Sequence, residues 1–194
     1  MSRALSFVLL LSLAATSGAA TVKVTVRDAR GGAVTDAVVY AVPEGRTLPP
    51  AKKTAVMDQV NRTFVPHVLP VQVGTAVRFP NSDDIRHQVY SFSSAKQFQI
   101  PLYKGTPANP VVFDREGVVT LGCSIHDRMS AYIVIVDTPH FATTKKNGRA
   151  ELSSVGAGKY SLRVWYPGMA AEPAPTPLTL GGSESKDLVV VVKK

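Results

Sequence analysis

The only cysteine of this 194-residue chain, Cys123, stands in Gly122-Cys123-Ser124-Ile125-His126-Asp127-Arg128-Met129. A thiol, an imidazole and a thioether are each separated by two residues there, and the strand-like run Ala131 to Val136 follows at once. The three groups therefore share a tight loop. Soft sulfur together with imidazole suits copper, and two histidines and a cysteine in a trigonal set with a weak axial methionine make a blue-copper centre. The loop supplies Cys123, His126 and Met129, so a second histidine has to come from elsewhere. His87 is the candidate, in Phe79-Pro80-Asn81-Ser82-Asp83-Asp84-Ile85-Arg86-His87-Gln88. Taken singly, each residue has an ordinary use: a lone cysteine is usually a small buried hydrophobe, and a methionine fills a core. Four donors in this order at the start of a strand point to copper instead.

On those motifs the chain resembles the plastocyanin and amicyanin type of cupredoxin, over roughly residues 55 to 137. An F-x-N-x-D…H segment precedes G-x-V-x-L-x-C-x-x-H-x-x-M, and the short C-x-x-H-x-x-M spacing is similar to the amicyanin loop. Closer still, it resembles bacterial plastocyanin-like proteins of the "methylamine utilization protein" type. The resemblance implies an eight-stranded Greek-key sandwich, one type 1 copper ion at one end held by His87, Cys123, His126 and Met129, and one-electron transfer. It also implies a side-chain amide that ties the two ligand loops together. Asn81, six residues before His87, and Gln88, next to it, are both candidates for that outer role. Related proteins carry aromatics in the strand before the cysteine, where this chain has Val119 and Gly122.

The remaining sequence has to position that loop. Met1-Ser2-Arg3, the apolar run Ala4 to Ala15 and the small residues Gly18-Ala19-Ala20 read as a secretory signal peptide over 1–20, too short for a membrane span. Export to the periplasm and no stable membrane insertion are the expectations. A single cysteine in an exported chain cannot close an internal disulfide, and metal ligation accounts for it. Abundant valine, 14 glycines, 14 prolines and no long helical period read as all-β.

Thr21 to Asp28 alternates, with Val22, Val24 and Val26 on one face, and Gly31-Gly32 turns the chain into a second strand at Asp36 to Val42, as a hairpin. Two such strands are not stable alone. Glu44 to Lys53 reads as a linker, so their partners must lie beyond the copper segment. There, Phe141 to Thr144 and Arg149 to Leu152 flank Asn147-Gly148, a strong hairpin signal. Tyr160 to Tyr166 alternates, a proline-rich loop (Pro173, Pro175, Pro177) follows, and Asp187 to Val192 is the last strand. Segments 21–43 and 139–194 resemble the two halves of a carboxypeptidase-regulatory or transthyretin-like sandwich. The expected organisation is that sandwich, discontinuous, with a cupredoxin domain over 50–138 inserted in it. The alternative is a tandem chain in which each flank decorates the cupredoxin.

Formal charge is +8. A basic surface favours acidic partners, such as a c-type cytochrome or a dehydrogenase, or an anionic membrane face. No basic stripe with interleaved aromatics marks a nucleic-acid binder. A copper-delivery protein is the alternative function and favours clustered, exposed methionines or histidines, whereas the four methionines here are scattered. Copper enzymes of this resemblance need further histidine pairs, and no His-x-His occurs, so no catalytic residue is assigned. His67 and His140 are expected to be loop histidines outside the centre.

Overall fold

A computed structural model describes residues 18–193. All but the last three residues of the expected signal peptide lie outside the described residues. Seventeen strands and no helix occur among those described. The first flank holds β1 (Ala20–Asp28) and β2 (Val38–Pro43). The middle of the chain holds β3 (Thr54–Val56), β4 (Asp58–Val60), β5 (Thr63–Val65), β6 (Val68–Gln72), β7 (Thr75–Arg78), β8 (His87–Ser93), β9 (Lys96–Tyr103), β10 (Val111–Phe113), β11 (Gly117–Gly122) and β12 (Ser130–Val136). The second flank adds β13 (Phe141–Thr143), β14 (Arg149–Val155), β15 (Gly158–Trp165), β16 (Thr176–Leu180) and β17 (Ser185–Val192). The protein is all-β.

In the middle, a five-stranded sheet ordered β6-β12-β11-β8-β9 faces a three-stranded sheet ordered β10-β7-β3, with the β4–β5 hairpin as an addition. Val89, Val119, Leu121, Ile133 and Ile135 from the first meet Val77 and Phe113 from the second, all at most 1% exposed. Period-two alternation places these residues on one face, so burying that face requires a second sheet. Consecutive β6 and β7 lie in opposite sheets, and the chain crosses between them at Val73-Gly74. Gly74 has φ +90°, and a Cβ there would sit 2.7 Å from the Ala51 carbonyl oxygen, so the crossover admits only glycine.

The flanks form two further sheets, β14-β1-β17 and β13-β2-β15-β16, around their own apolar core. Val22, Val24 and Val26 do point inward, as their alternation predicts. The expected hairpin of the first two strands is not formed. β1 and β2 belong to opposite sheets, because the inward valines of β1 pack on Val39 and Ala41 of β2 across the core. Likewise Asn147-Gly148 makes a tight turn, with Lys145 N–H donating to the Arg149 carbonyl at 2.9 Å, yet β13 and β14 diverge into different sheets. Buried Thr144 draws the chain away: its hydroxyl donates to the Val34 carbonyl (2.7 Å) and accepts from the Ala37 N–H (2.9 Å). The proline-rich segment contains one more strand, β16. It is an edge strand, where the missing N–H of Pro177 costs no ladder bond.

A third apolar cluster joins the two parts. Val38 and Tyr40 of β2 meet Val68, Val134 and Val136 of the middle sandwich, with the rings of Tyr132 and Trp165 5.2 Å apart beside them.

Candidate metal centre

The donors converge at one end of the middle sandwich because three strand ends meet there. His87 opens β8, Cys123 directly follows β11, and Met129 directly precedes β12. The intervening loop is wound by two successive turns, with His126 N–H donating to the Cys123 carbonyl (3.4 Å) and Met129 N–H to the His126 carbonyl (2.9 Å). That winding brings every third residue to the inside, which explains the Cys-x-x-His-x-x-Met spacing. Cys123 and Met129 are buried, His87 is fully buried, and His126 is half-buried.

Cys123 Sγ lies 3.9 Å from His87 Nδ1 and 3.8 Å from His126 Nδ1, and the three donor atoms all fall within 4.8 Å of one another. The imidazole centroids are 4.9 Å apart at 59°. These separations fit donors sharing one ion. Metal bonds of about 2.0 Å to nitrogen and 2.3 Å to sulfur, spread at 120°, put sulfur and nitrogen roughly 3.7 Å apart. The tetrahedral angle would bring them to about 3.5 Å. The observed 3.8–3.9 Å is close to both, and the donor set of one thiol, two imidazoles and a neighbouring thioether is soft enough for copper. Met129 lines the same surface depression as Cys123.

The two amides divide the outer work. Gln88 Oε1 accepts from the Ser124 hydroxyl and so ties the His87 strand to the cysteine loop. Asn81 instead shapes its own loop: its Nδ2 donates to the carbonyls of Ile85 and Tyr103 (both 2.9 Å), and its Oδ1 accepts from the Asp83 N–H (3.0 Å). The part-buried Tyr103 hydroxyl donates to the Phe79 carbonyl at 2.8 Å and accepts from Gln59 Nε2. Burial, above all, pushes the Tyr103 pKa up to about 12, with the Gln59 bond opposing and the charges of Asp58 and Cys123 adding to the rise.

Two residues here escaped the sequence reading. His87 Nε2 lies 2.7 Å from Asp83 Oδ2, and the same carboxylate takes the backbone N–H groups of Asn61 (2.6 Å) and Arg62 (2.8 Å). Desolvation pushes the Asp83 pKa up, but the Arg62 N–H, the His87 ring and the Asn61 N–H outweigh it, and the net shift is downward. The second is Tyr90. A Cβ at Gly122 would fall 2.6 Å from the Tyr90 ring, so glycine there leaves room for an aromatic supplied by the neighbouring strand β8. The remaining histidines stay apart. His67 is exposed and 3.2 Å from Asp36, and His140 stands edge-on to Tyr160 in the flanking sandwich.

Five strands over three, with the cysteine loop between β11 and β12 at one end, make the middle of the chain a cupredoxin-like sandwich. No family model matches the chain, and no curated protein does. Solved structures are similar to it in part. A purple cupredoxin from Nitrosopumilus maritimus is 23% identical, over 43% of this chain and 99% of its own, with a TM-score of 0.37. A reduced amicyanin mutant is 20% identical, over 50% of this chain and 98% of its own, with a TM-score of 0.38. A copper-containing nitrite reductase from Thermus scotoductus SA-01 is 24% identical, over 51% of this chain but a quarter (25%) of its own, with a TM-score of 0.41. At these identities the likeness concerns fold alone. Among the described residues no helix is long and apolar enough to cross a membrane.

Proposed function

We propose that this protein is a type 1 copper protein that carries single electrons between redox partners in the periplasm, without turning over a substrate. The observation that carries the reading is the convergence of His87 Nδ1, His126 Nδ1 and Cys123 Sγ at separations that one ion can bridge. Bound there, copper would supply a one-electron couple. His87, Cys123 and His126 are its principal ligands in this reading, and Met129 is a weak axial one. The buried side chains of Cys123, Met129 and His87 exclude water and hold one donor geometry, which favours retention of the ion over delivery to an acceptor. Gln88 and Ser124 hold the two ligand loops in register.

His126 is the least buried of the ligands, and the exposed side chain of Ile125 (50%) stands beside it in sequence. We place electron exchange at that face. Weak redox encounters bury little area, so a small apolar contact suffices, while the basic surface steers an acidic partner such as a c-type cytochrome or a dehydrogenase. Segments 21–43 and 139–194 form, on this reading, an outer sandwich into which the copper domain of 50–138 is inserted; their separate apolar core supports it. The periplasmic placement rests on the leader-like residues 1–20. Anaerobic redox titration tests the carrier role. One electron per copper, taken up and returned reversibly with the spectrum restored, is the expected result. An irreversible or absent couple contradicts it.

A further inference from the structure

We propose that Asp83 is a positioning residue that presents His87 to the metal in a single tautomer, and that the tip of the β4–β5 hairpin is built to hold that carboxylate. The two tip residues, Asn61 and Arg62, both have positive φ (53° and 58°), the conformation of a two-residue type I′ hairpin turn. Their backbone N–H groups point together at Asp83, one to each oxygen, at 2.6 and 2.8 Å. Successive N–H groups so aimed are an anion-binding arrangement of the backbone. The third donor to the carboxylate is His87 Nε2 at 2.7 Å. The ring is fully buried.

An ionised carboxylate only accepts hydrogen bonds, so the Nε2 of His87 carries the proton and Nδ1 keeps its lone pair. That lone pair belongs to the nitrogen facing Cys123 Sγ at 3.9 Å. A carboxylate on the far nitrogen of a ligating histidine fixes its tautomer and ring orientation and raises its basicity. Two chain segments distant in sequence are thereby coupled: the turn at 61–62 aims the carboxylate, and the carboxylate aims the imidazole. Asn81 also holds the loop: its Oδ1 accepts from the Asp83 backbone N–H and its Nδ2 donates to the Ile85 carbonyl.

The significance of the ligated form rests on the copper reading, but the tautomer is measured without metal. Nitrogen-15 NMR of metal-free protein, labelled at histidine and observed with the ring neutral, should show His87 as one Nε2–H tautomer. Asp83→Asn turns an acceptor into a group that cannot satisfy all three donors. A second tautomer should appear, and the Asn61 and Arg62 amides should exchange with solvent faster. Loaded with copper, the variant should bind Cu(II) 10- to 100-fold more weakly, the usual effect of losing such an outer partner. Where the loss falls on Cu(II) alone, each tenfold raises the potential by about 59 mV. Glu151→Gln, the same charge change on an exposed strand of the flanking sandwich, should do neither.

A wild-type His87 protonated on Nδ1 overturns the proposal, and it does so even if the variant fails to fold. A folded variant with an unchanged tautomer, or with Cu(II) affinity within twofold of wild type, overturns it too. Failure to take up copper at all, with the wild-type tautomer as expected and altered by Asp83→Asn, defeats the copper reading and leaves the role of Asp83 standing.

Discussion

Replacing Thr144 by valine keeps the side chain's volume and removes one hydroxyl, and that hydroxyl holds two buried backbone groups. It donates to the Val34 carbonyl at 2.7 Å and accepts from the Ala37 N–H at 2.9 Å, among residues at most 4% exposed. Each stranded backbone group costs about 1–3 kcal/mol, because it loses its partner without regaining water. The new methyl returns roughly 0.8 kcal/mol of apolar burial. The net loss is about 1–5 kcal/mol, and at about 4–8 °C per kcal/mol for a domain of roughly 80 residues it lowers the melting transition by several degrees to a few tens of degrees. Calorimetry and urea titration of the metal-free protein measure it. The loss should fall on the flanking sandwich, so the visible spectrum of copper-loaded variant should match wild type below the transition. A loss under about 0.5 kcal/mol would refute the reasoning about stranded groups. A folded variant with a changed copper spectrum would refute the separation of the two sandwiches.

Met129→Leu should keep copper and colour while raising the reduction potential, and Met129→Gln should lower it with a harder donor, both read by voltammetry. Loss of copper from both variants means that Met129 is a principal ligand. Partial burial, then the charge of Arg46, holds the His140 pKa below its ordinary 6.5. The unfolded chain therefore takes up this proton first as pH falls, and the stability tied to a neutral His140 is present above about 6.5 and lost below it. Urea midpoints between pH 5 and 7.5 should fall more steeply on acidification for wild type than for His140→Gln, and equal slopes exclude the linkage.

The turn over Cys123 to Met129 was legible because its pattern is local: three side chains of ligand type at fixed spacing announce a tight loop, and the fold brings two of them, Cys123 and His126, beside His87. His87 could be proposed by elimination, since only four histidines exist. Asp83 could not. In Asp83-Asp84 it reads as a solvated loop acid, and only folding brings the 61–62 turn and His87 onto it. The one available signal was its place four residues before a candidate ligand. Alternation in β1 settled which residues face inward but not which sheet the strand joins, so the expected β1–β2 hairpin gave way to strands on opposite sides of a core. Thr144 shows the same limit at the Asn-Gly turn, where a buried hydroxyl redirects the chain. In β16, Pro177 hid a strand that its edge position allows. The replacement of a strand aromatic by Gly122 looked like a loss, and Tyr90 from the next strand fills that space.

The most direct test of the central claim is titration of the protein with Cu(II), followed by visible absorption, for wild type and Cys123→Ser side by side. The geometry at His87, Cys123 and His126 predicts saturation at one copper per chain and an intense thiolate-to-copper band that the serine variant lacks. A colourless wild-type adduct, or an equal band from Cys123→Ser, would contradict it.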